Sequence, residues 1–223
     1  MNLILNIDTA METASVCLAD NGNLIAFASH TSIKDHASWL HVAIKNIMSA
    51  QKLKLNQLKA IAVSEGPGSY TGLRVGMASA KGLCYALNKP LITVPTLKMM
   101  AFAARNETSE LLIPMIDARR MEVFTAVYTS GITEICSATN MILDKNSFKD
   151  RLNQHTITFF GSGSTKFKPL ISHPNAFFSV IDSNATHMIE LSKAKADENN
   201  FTDLAYSEPF YGKDFHSNVK HTL

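Results

Sequence analysis

Acidic residues are scarce at the front of this 223-residue chain. Residues 1–105 hold five Asp/Glu against ten Lys/Arg, whereas residues 106–223 hold fourteen against eleven. Charged residues make up only 18% and the formal net charge is +2, which argues against a dedicated nucleic-acid binder with a basic face. The dipolar distribution either steers a charged partner to one end or is plain solvated surface. Long apolar runs are missing: none approaches the ~20 residues that cross a bilayer. The start, "MNLILNIDTAMET", has no basic region and runs into Asp8, so it reads as a strand and not as a signal peptide. Cysteines number three, Cys17, Cys84 and Cys136. Odd in number and widely spaced among apolar neighbours, they read as buried free thiols of a reducing cytoplasm, not as disulfides or a metal knuckle.

Motifs of catalysis are equally thin. None of the eight histidines has another four residues away; His36 and His41 lie five apart, about 140° around a helix, so a His-x-x-x-His metal site is absent. A Walker A loop needs Lys-Ser/Thr after its last glycine, and Leu73 and Arg74 follow Gly72 here. The dinucleotide fingerprint fails too, with no acid about 20 residues on. In "GPGSYTG" Ser69 stands one position wrong for a nucleophile elbow. No complete catalytic set is present.

What is present is a core-forming composition, 46% hydrophobic, and a readable order of elements. Strands are expected at 3–8, 13–19 and 24–30 around the turn "NGN". An amphipathic helix follows Asp35, with apolar Trp39, Leu40, Ala43, Ile44, Ile47 and Met48. A strand at 59–63, a helix from Thr71 to Asn88, a strand in "PLITV" and a helix in "TLKMMAFAAR" complete an α/β lobe with a mixed sheet. The second half restarts in the same way: Asp8 to Gly22 and Asp117 to Gly131 are both fourteen residues apart, each Asp after an Ile. A duplicated two-lobe fold would leave this trace. The expected division is a first lobe at 1–105, a second at 106–211 and a polar, fraying tail at 212–223. Later elements are a helix at 145–152, a strand at 156–160, the loop "GSGSTKF", a strand near 177–181 and a helix at 184–196.

The densest feature is "SEGPGSYTGLRVG", residues 64–76, with the loop Gly66, Pro67, Gly68 and Ser69. Anion binding at the helix start is one reading. The helix offers another: Gly72, Gly76, Ser79, Ala80 and Leu83 share one face, and Gly76 and Gly82 together cost about 2 kcal/mol of helix stability. Such glycines call for close backbone approach, either to the chain's own sheet or to another protein's helix. Asp8 and Thr9 at the end of the first strand, with Gly161 and Gly163 in "GSGSTKF", read either as a vestigial nucleotide site or as a turn residue and a flexible connection.

On "ILNIDTAMETASVCL", "SEGPGSYTGLRVGMASAKGL", "PLITVPTL" and "IPMIDARRMEVFTAVY" the chain resembles the TsaB (YeaZ) family of tRNA threonylcarbamoyladenosine biosynthesis. The resemblance implies an actin-like, sugar-kinase/Hsp70-like (ASKHA) fold of two lobes. It also implies a non-catalytic dimerisation subunit with no cofactor beyond weak ATP or ADP binding. The implied partners are the threonylcarbamoyl-transferring TsaD as a heterodimer, the ATPase TsaE, tRNA indirectly through the complex, and a weak homodimer when alone; TsaC supplies the threonylcarbamoyl-adenylate. Carried over, the interface helices hold Trp39, Leu40, Ala43 and Ile47, and Thr71, Gly72, Arg74, Val75 and Gly76. The sequence departs from the family pattern at "HASWLH". An expectation of a different class is an autonomous ASKHA-type ATPase or glycopeptidase-like enzyme.

Overall fold

The computed structural model describes residues 2–31 and 35–212; most of the tail placed at 212–223 lies outside them. The first sheet is built from β1 (Leu3–Asp8), β2 (Thr13–Asp20), β3 (Asn23–Thr31), β4 (Ala60–Gly66) and β5 (Leu91–Pro95), in the order β3-β2-β1-β4-β5. The second uses β6 (Leu111–Asp117), β7 (Glu122–Thr129), β8 (Glu134–Ile142), β9 (Ile157–Phe160) and β10 (Ala176–Ser179), in the order β10-β9-β6-β7-β8. Reversed, this is the first order again, strand for strand. Each lobe has an antiparallel meander followed by two strands parallel to its first. The 109-residue offset between Asp8 and Asp117 also carries β2 onto β7 residue for residue.

Helices distinguish the lobes. Between β3 and β4 lies α1 (His36–Ala50), and between β4 and β5 lies α2 (Tyr70–Leu87). Leu40, Ala43, Ile44, Ile47 and Met48 of α1, with Met77, Ala80 and Cys84 of α2, bury one face of the first sheet. A helix packs so when its apolar residues recur at three and four positions. Asn88, at φ +52, ends α2 in the left-handed conformation. The equivalent connections of the second lobe carry single turns: α4 (Lys149–Leu152) in one, and α5 (Ser164–Phe167) with a 3₁₀ turn at Lys168–Leu170 in the other. The expected helix at 145–152 therefore shrinks to its last turn, and the "GSGSTKF" loop contains a turn of helix. β8 was not anticipated; its exposed, mixed polar sequence covers little core.

The other face of the first sheet corrects the expected domain division. After β10 the chain crosses back: a 3₁₀ turn at Ala185–Met188 runs into α6 (Ile189–Asp197), in place of one helix over 184–196. Ala185, Met188, Ile189 and Ala196 pack with Ile4, Cys17, Ala62 and Ile92. Polar anchors fix the register: Ser192 Oγ donates to Asn6 Oδ1 (2.7 Å), and Ala185 N donates to Ser15 Oγ (2.9 Å). Residues 185–212 thus belong physically to the first lobe, because its sheet has an apolar second face that the first 105 residues only partly cover. The remaining helix, α3 (Thr96–Ala103), sends Leu97, Met100 and Ala101 into a cluster with Leu112, Ile116, Phe124 and Phe160. That cluster joins the lobes.

Candidate functional site

The loop from β4 into α2 is built against the chain itself. Ser69 caps α2, its Oγ accepting from Gly72 N (3.3 Å), while its own N–H donates to Ala10 O (2.7 Å). Thr9 Oγ1 donates to Gly72 O (2.7 Å). A Cβ added at Gly68 would overlap the Ala10 carbonyl, at Gly72 the Thr9 carbonyl, and at Gly76 the Thr9 hydroxyl. Gly66, at φ +116, lies against the Phe210 carbonyl. The expectation that Gly72 and Gly76 clear space for a partner's helix is therefore corrected: the clearance is for the turn after β1. Pro67 is buried beside them. Two of the amides that a phosphate would seek at this helix start already have acceptors within the chain.

Of the other residues expected at an interface, Leu40, Ala43 and Ile47 are core. Trp39 is half-buried and stacks on His30, ring centroids 5.8 Å apart. Thr71 and Arg74 are exposed and Val75 is half-buried. The outward face of the helix pair instead runs over Val42, Thr71, Val75, Ala78 and Gly82, and His41 Nε2 meets Ser79 Oγ at 3.2 Å across the two helices. Gly82 has nothing within 4 Å of the place where its Cβ would be. A mid-helix glycine costs about 1 kcal/mol relative to alanine. For Gly76 the chain supplies the reason; for Gly82 it supplies none.

A segment that the sequence did not flag borders this face. Residues 202–212 run back along α2 as a strap. Thr202 bridges Leu91 of β5, Lys81 Nζ donates to Ala205 O (3.2 Å) and Ser207 O (2.9 Å), and Phe210 N donates to Glu65 O (2.7 Å). At its end Arg74 Nε donates to Tyr211 Oη (3.0 Å), with the guanidinium 4.1 Å from the Tyr70 ring centre. Without distant contacts in hand, this irregular stretch carries no periodic signal.

Between the lobes lies a cleft of about 1190 Å³, lined among others by Met11, Ser69, Tyr70, Asp117, Arg119 and Ser162. Asp8 and Thr9 do not line it; both are fully buried. Asp8 Oδ1 accepts from Ser64 Oγ (2.7 Å) and Ala10 N (3.0 Å), and Oδ2 has no partner. Burial pushes its carboxyl above the usual carboxylate value, against the hydrogen bonds and the nearby His36. Asp117, its repeat counterpart, is exposed and held by Lys166 Nζ (2.6 Å) and Arg119 N (2.6 Å). Desolvation raises the Asp117 carboxyl, but Lys166 and Arg119 together outweigh it and hold it below the ordinary value. Gly161 and Gly163 accommodate Met115 and Val123 of the second sheet. The four vestigial nucleotide residues thus do not converge, since Gly161 alone of them lines the cleft. Among the described residues no group of three His, Cys, Asp or Glu could hold a metal, and no helix is long and apolar enough to cross a membrane. Cys17 and Cys84 are buried, which pushes both thiols up to about 12; Cys136 is half-buried, with Arg151 Nη2 2.8 Å from its sulfur.

A family model described as "TsaD: tRNA N6-adenosine threonylcarbamoyltransferase" matches residues 28–213. The tRNA threonylcarbamoyladenosine biosynthesis protein TsaB of Escherichia coli K12 is 36% identical over 128 residues, 56% of this chain and 54% of that protein. The TsaB of Haemophilus influenzae is 27% identical over 93% of this chain and 92% of that one. The match thus spans about half the length of the first relative and nearly all of the second. Among solved structures, a Pseudomonas aeruginosa protein described as similar to peptidase YEAZ superposes with a TM-score of 0.85 at 22% identity, covering 96% of this chain and 100% of that one. An activator of 2-hydroxyisocaproyl-CoA dehydratase from Clostridium difficile, solved with ADPNP, reaches a TM-score of 0.51 at 8% identity over 89% and 97%. At these identities the superpositions speak for the fold, which is the actin-like, two-lobe ASKHA arrangement.

Proposed function

The chain belongs to the TsaB (YeaZ) family and matches the TsaD family model over residues 28–213, and from that premise we propose that it is a non-catalytic scaffold subunit in forming threonylcarbamoyladenosine in tRNA, acting in the cytoplasm by pairing with TsaD. Gly82 carries the reading. It is an exposed glycine inside an otherwise well-formed helix, with the small Ala78 and Ser79 one turn before it, and nothing in its own chain accounts for it. Small residues let two helix backbones approach closely. A related lobe offers a related helix, so the same face also serves a weak homodimer, which TsaD displaces. TsaE then joins the assembled pair, and tRNA meets the chain through the complex.

The non-catalytic half of the proposal is supported by the burial of Asp8, by the ion pair that occupies Asp117, and by the absence of His-x-x-x-His from the sequence. The test is co-purification with TsaD and size-exclusion chromatography of Gly82→Leu, which has room to fold. Loss of both associations with an unchanged circular dichroism spectrum is the expected result; retention of TsaD sinks the assignment of this face. Micromolar ATP binding with turnover by the isolated chain would overturn the non-catalytic role in favour of an autonomous ATPase.

A further inference from the structure

From His36 to Asn106 the chain carries nine Lys/Arg and a single acid, Glu65. The fold gathers several of these cations at one end. β1, β4 and β5 are parallel, with Ile4 beside Ala60 and Ile61 beside Leu91, so the turns that enter β4 and β5 emerge side by side. Those turns hold Lys52, Lys54 and Lys59 in one and Lys89 in the other. Their backbones are tied down: Lys59 N donates to Leu3 O (2.7 Å), Lys89 N to Cys84 O (2.9 Å) and Ile61 N to Pro90 O (3.1 Å). Lys52, Lys54 and Lys59 are exposed, Lys89 is half-buried, and none of the four makes an ion pair among the described residues. Of the acids near this end, Asp20 accepts from Asn2 N (2.6 Å) and Asn21 Nδ2 (3.1 Å), Asp197 pairs with Lys193, and Asp203 accepts from Ala205 N (2.8 Å) and Tyr206 N (3.0 Å); Glu198 is exposed at the end of α6. Glu65 lies at the opposite end of β4, toward the cleft.

We propose that this end of the first lobe, opposite the inter-lobe cleft, docks the phosphate backbone of RNA. Unpaired like charges on adjacent turns repel one another and favour a polyanion that neutralises several at once. Tyr85, one turn before Lys89 on α2, is 85% exposed, and a free aromatic ring beside lysines is a stacking platform for an unpaired base. These features favour RNA over an acidic protein segment, which offers charge but no base. The inference rests on the tRNA reading of the preceding section and adds to it a direct contact.

The test measures fluorescence anisotropy with a labelled tRNA transcript across 50–200 mM salt, on the chain alone and with TsaD. Four phosphate contacts give a log–log salt slope near about −3.6, or roughly 100-fold weaker binding across that range. Changing Lys52, Lys54, Lys59 and Lys89 together to Gln should weaken binding at least tenfold at 100 mM salt and flatten the slope by about 3.6. Changing the exposed Lys145, Lys149 and Lys168 of the second lobe to Gln should leave both unchanged. Equal binding by the two variants overturns the proposal, as does absence of tRNA binding by the unaltered chain. Displacement by polyglutamate as effective as by unlabelled tRNA assigns the surface to an acidic protein and also overturns it. Lost RNA binding with TsaD co-purification intact is expected of the quadruple variant. TsaD pairing that fails while RNA binding persists counts against the scaffold reading alone.

Discussion

The Thr9 hydroxyl donates to the carbonyl of Gly72 at 2.7 Å, and the same oxygen fills the space above Gly76. One side chain from the end of β1 therefore accounts for two of the glycines that give α2 its character. Gly76→Ala should destabilise the chain by about 1–3 kcal/mol, as overpacking does, although alanine is the better helix former. Combining it with Thr9→Ala should recover part of that loss in a double-mutant cycle by chemical denaturation. Strict additivity would separate the two residues.

Gly82 should behave in the opposite way. With open space around it, Gly82→Ala should stabilise the isolated chain by up to about 1 kcal/mol, raising the Tm by a few degrees. A fall in Tm would show that the position is packed after all.

These two glycines mark how far the sequence was legible. Helical spacing placed Gly72 and Gly76 on one face but could not say what lay against it, because Thr9 is 63 residues away from Gly72. The repeat of Asp8 and Gly22 at Asp117 and Gly131 was readable since strand, acid, strand and turn are local, and the matching strand orders of the sheets agree with it. β8 escaped because its Glu134–Ile142 run alternates poorly and buries little. The return of residues 185–212 escaped for another reason. Ser192 and Asn6 meet across 186 positions, and α6 presents only Ile189, Ser192 and Ala196 to the core, too few to announce a face. In the site, Asp8 was legible as special but not as buried.

Asp8 makes the stability of the fold depend on pH in an unusual direction. Its folded-state pKa is raised from 3.8, chiefly by burial. The folded chain holds this proton more tightly than the unfolded chain, so the contribution is complete below pH 3.8 and is lost as pH rises through the folded value. Asn keeps an oxygen for Ser64 and Ala10 and never ionises. The Tm of Asp8→Asn minus that of the unaltered chain should therefore grow as pH is raised from 4 to 8. A difference that stays flat would mean that the buried carboxyl carries no such penalty.

The strap gives a local prediction. Lys81 holds two of its carbonyls, at Ala205 and Ser207, and hydrogen bonds from a charged donor contribute about 1.5–3 kcal/mol each at most. Lys81→Met should speed amide exchange at Ser207 and Phe210 by tenfold or more. The amides of β1 and β4 should keep their protection, since the sheet does not depend on the strap. Equal acceleration throughout would make the strap part of one cooperative unit with the core.

Asp117 should show the reverse pH behaviour to Asp8, although the repeat equates them. Desolvation raises its carboxyl, and Lys166 with Arg119 more than offsets this, bringing the folded value below 3.8. Its stabilisation is present above pH 3.8 and lost as pH falls through the folded value. Because Asp117 is 44% exposed, solvent screens the pair, and Lys166→Met should cost no more than about 1 kcal/mol at neutral pH. That cost should shrink toward zero by pH 2–3 and in molar salt. If it persists unchanged in acid, the packing of the lysine stem and its hydrogen bond to the Glu122 carbonyl hold this edge of the cleft, and the charge does not. Asp8 and Asp117 thus occupy equivalent strand ends and are separated by burial on one side and by an ion pair on the other: Asp8 is sealed beneath the turn that Gly68 and Gly72 admit, and Asp117 is held by Lys166 at the rim.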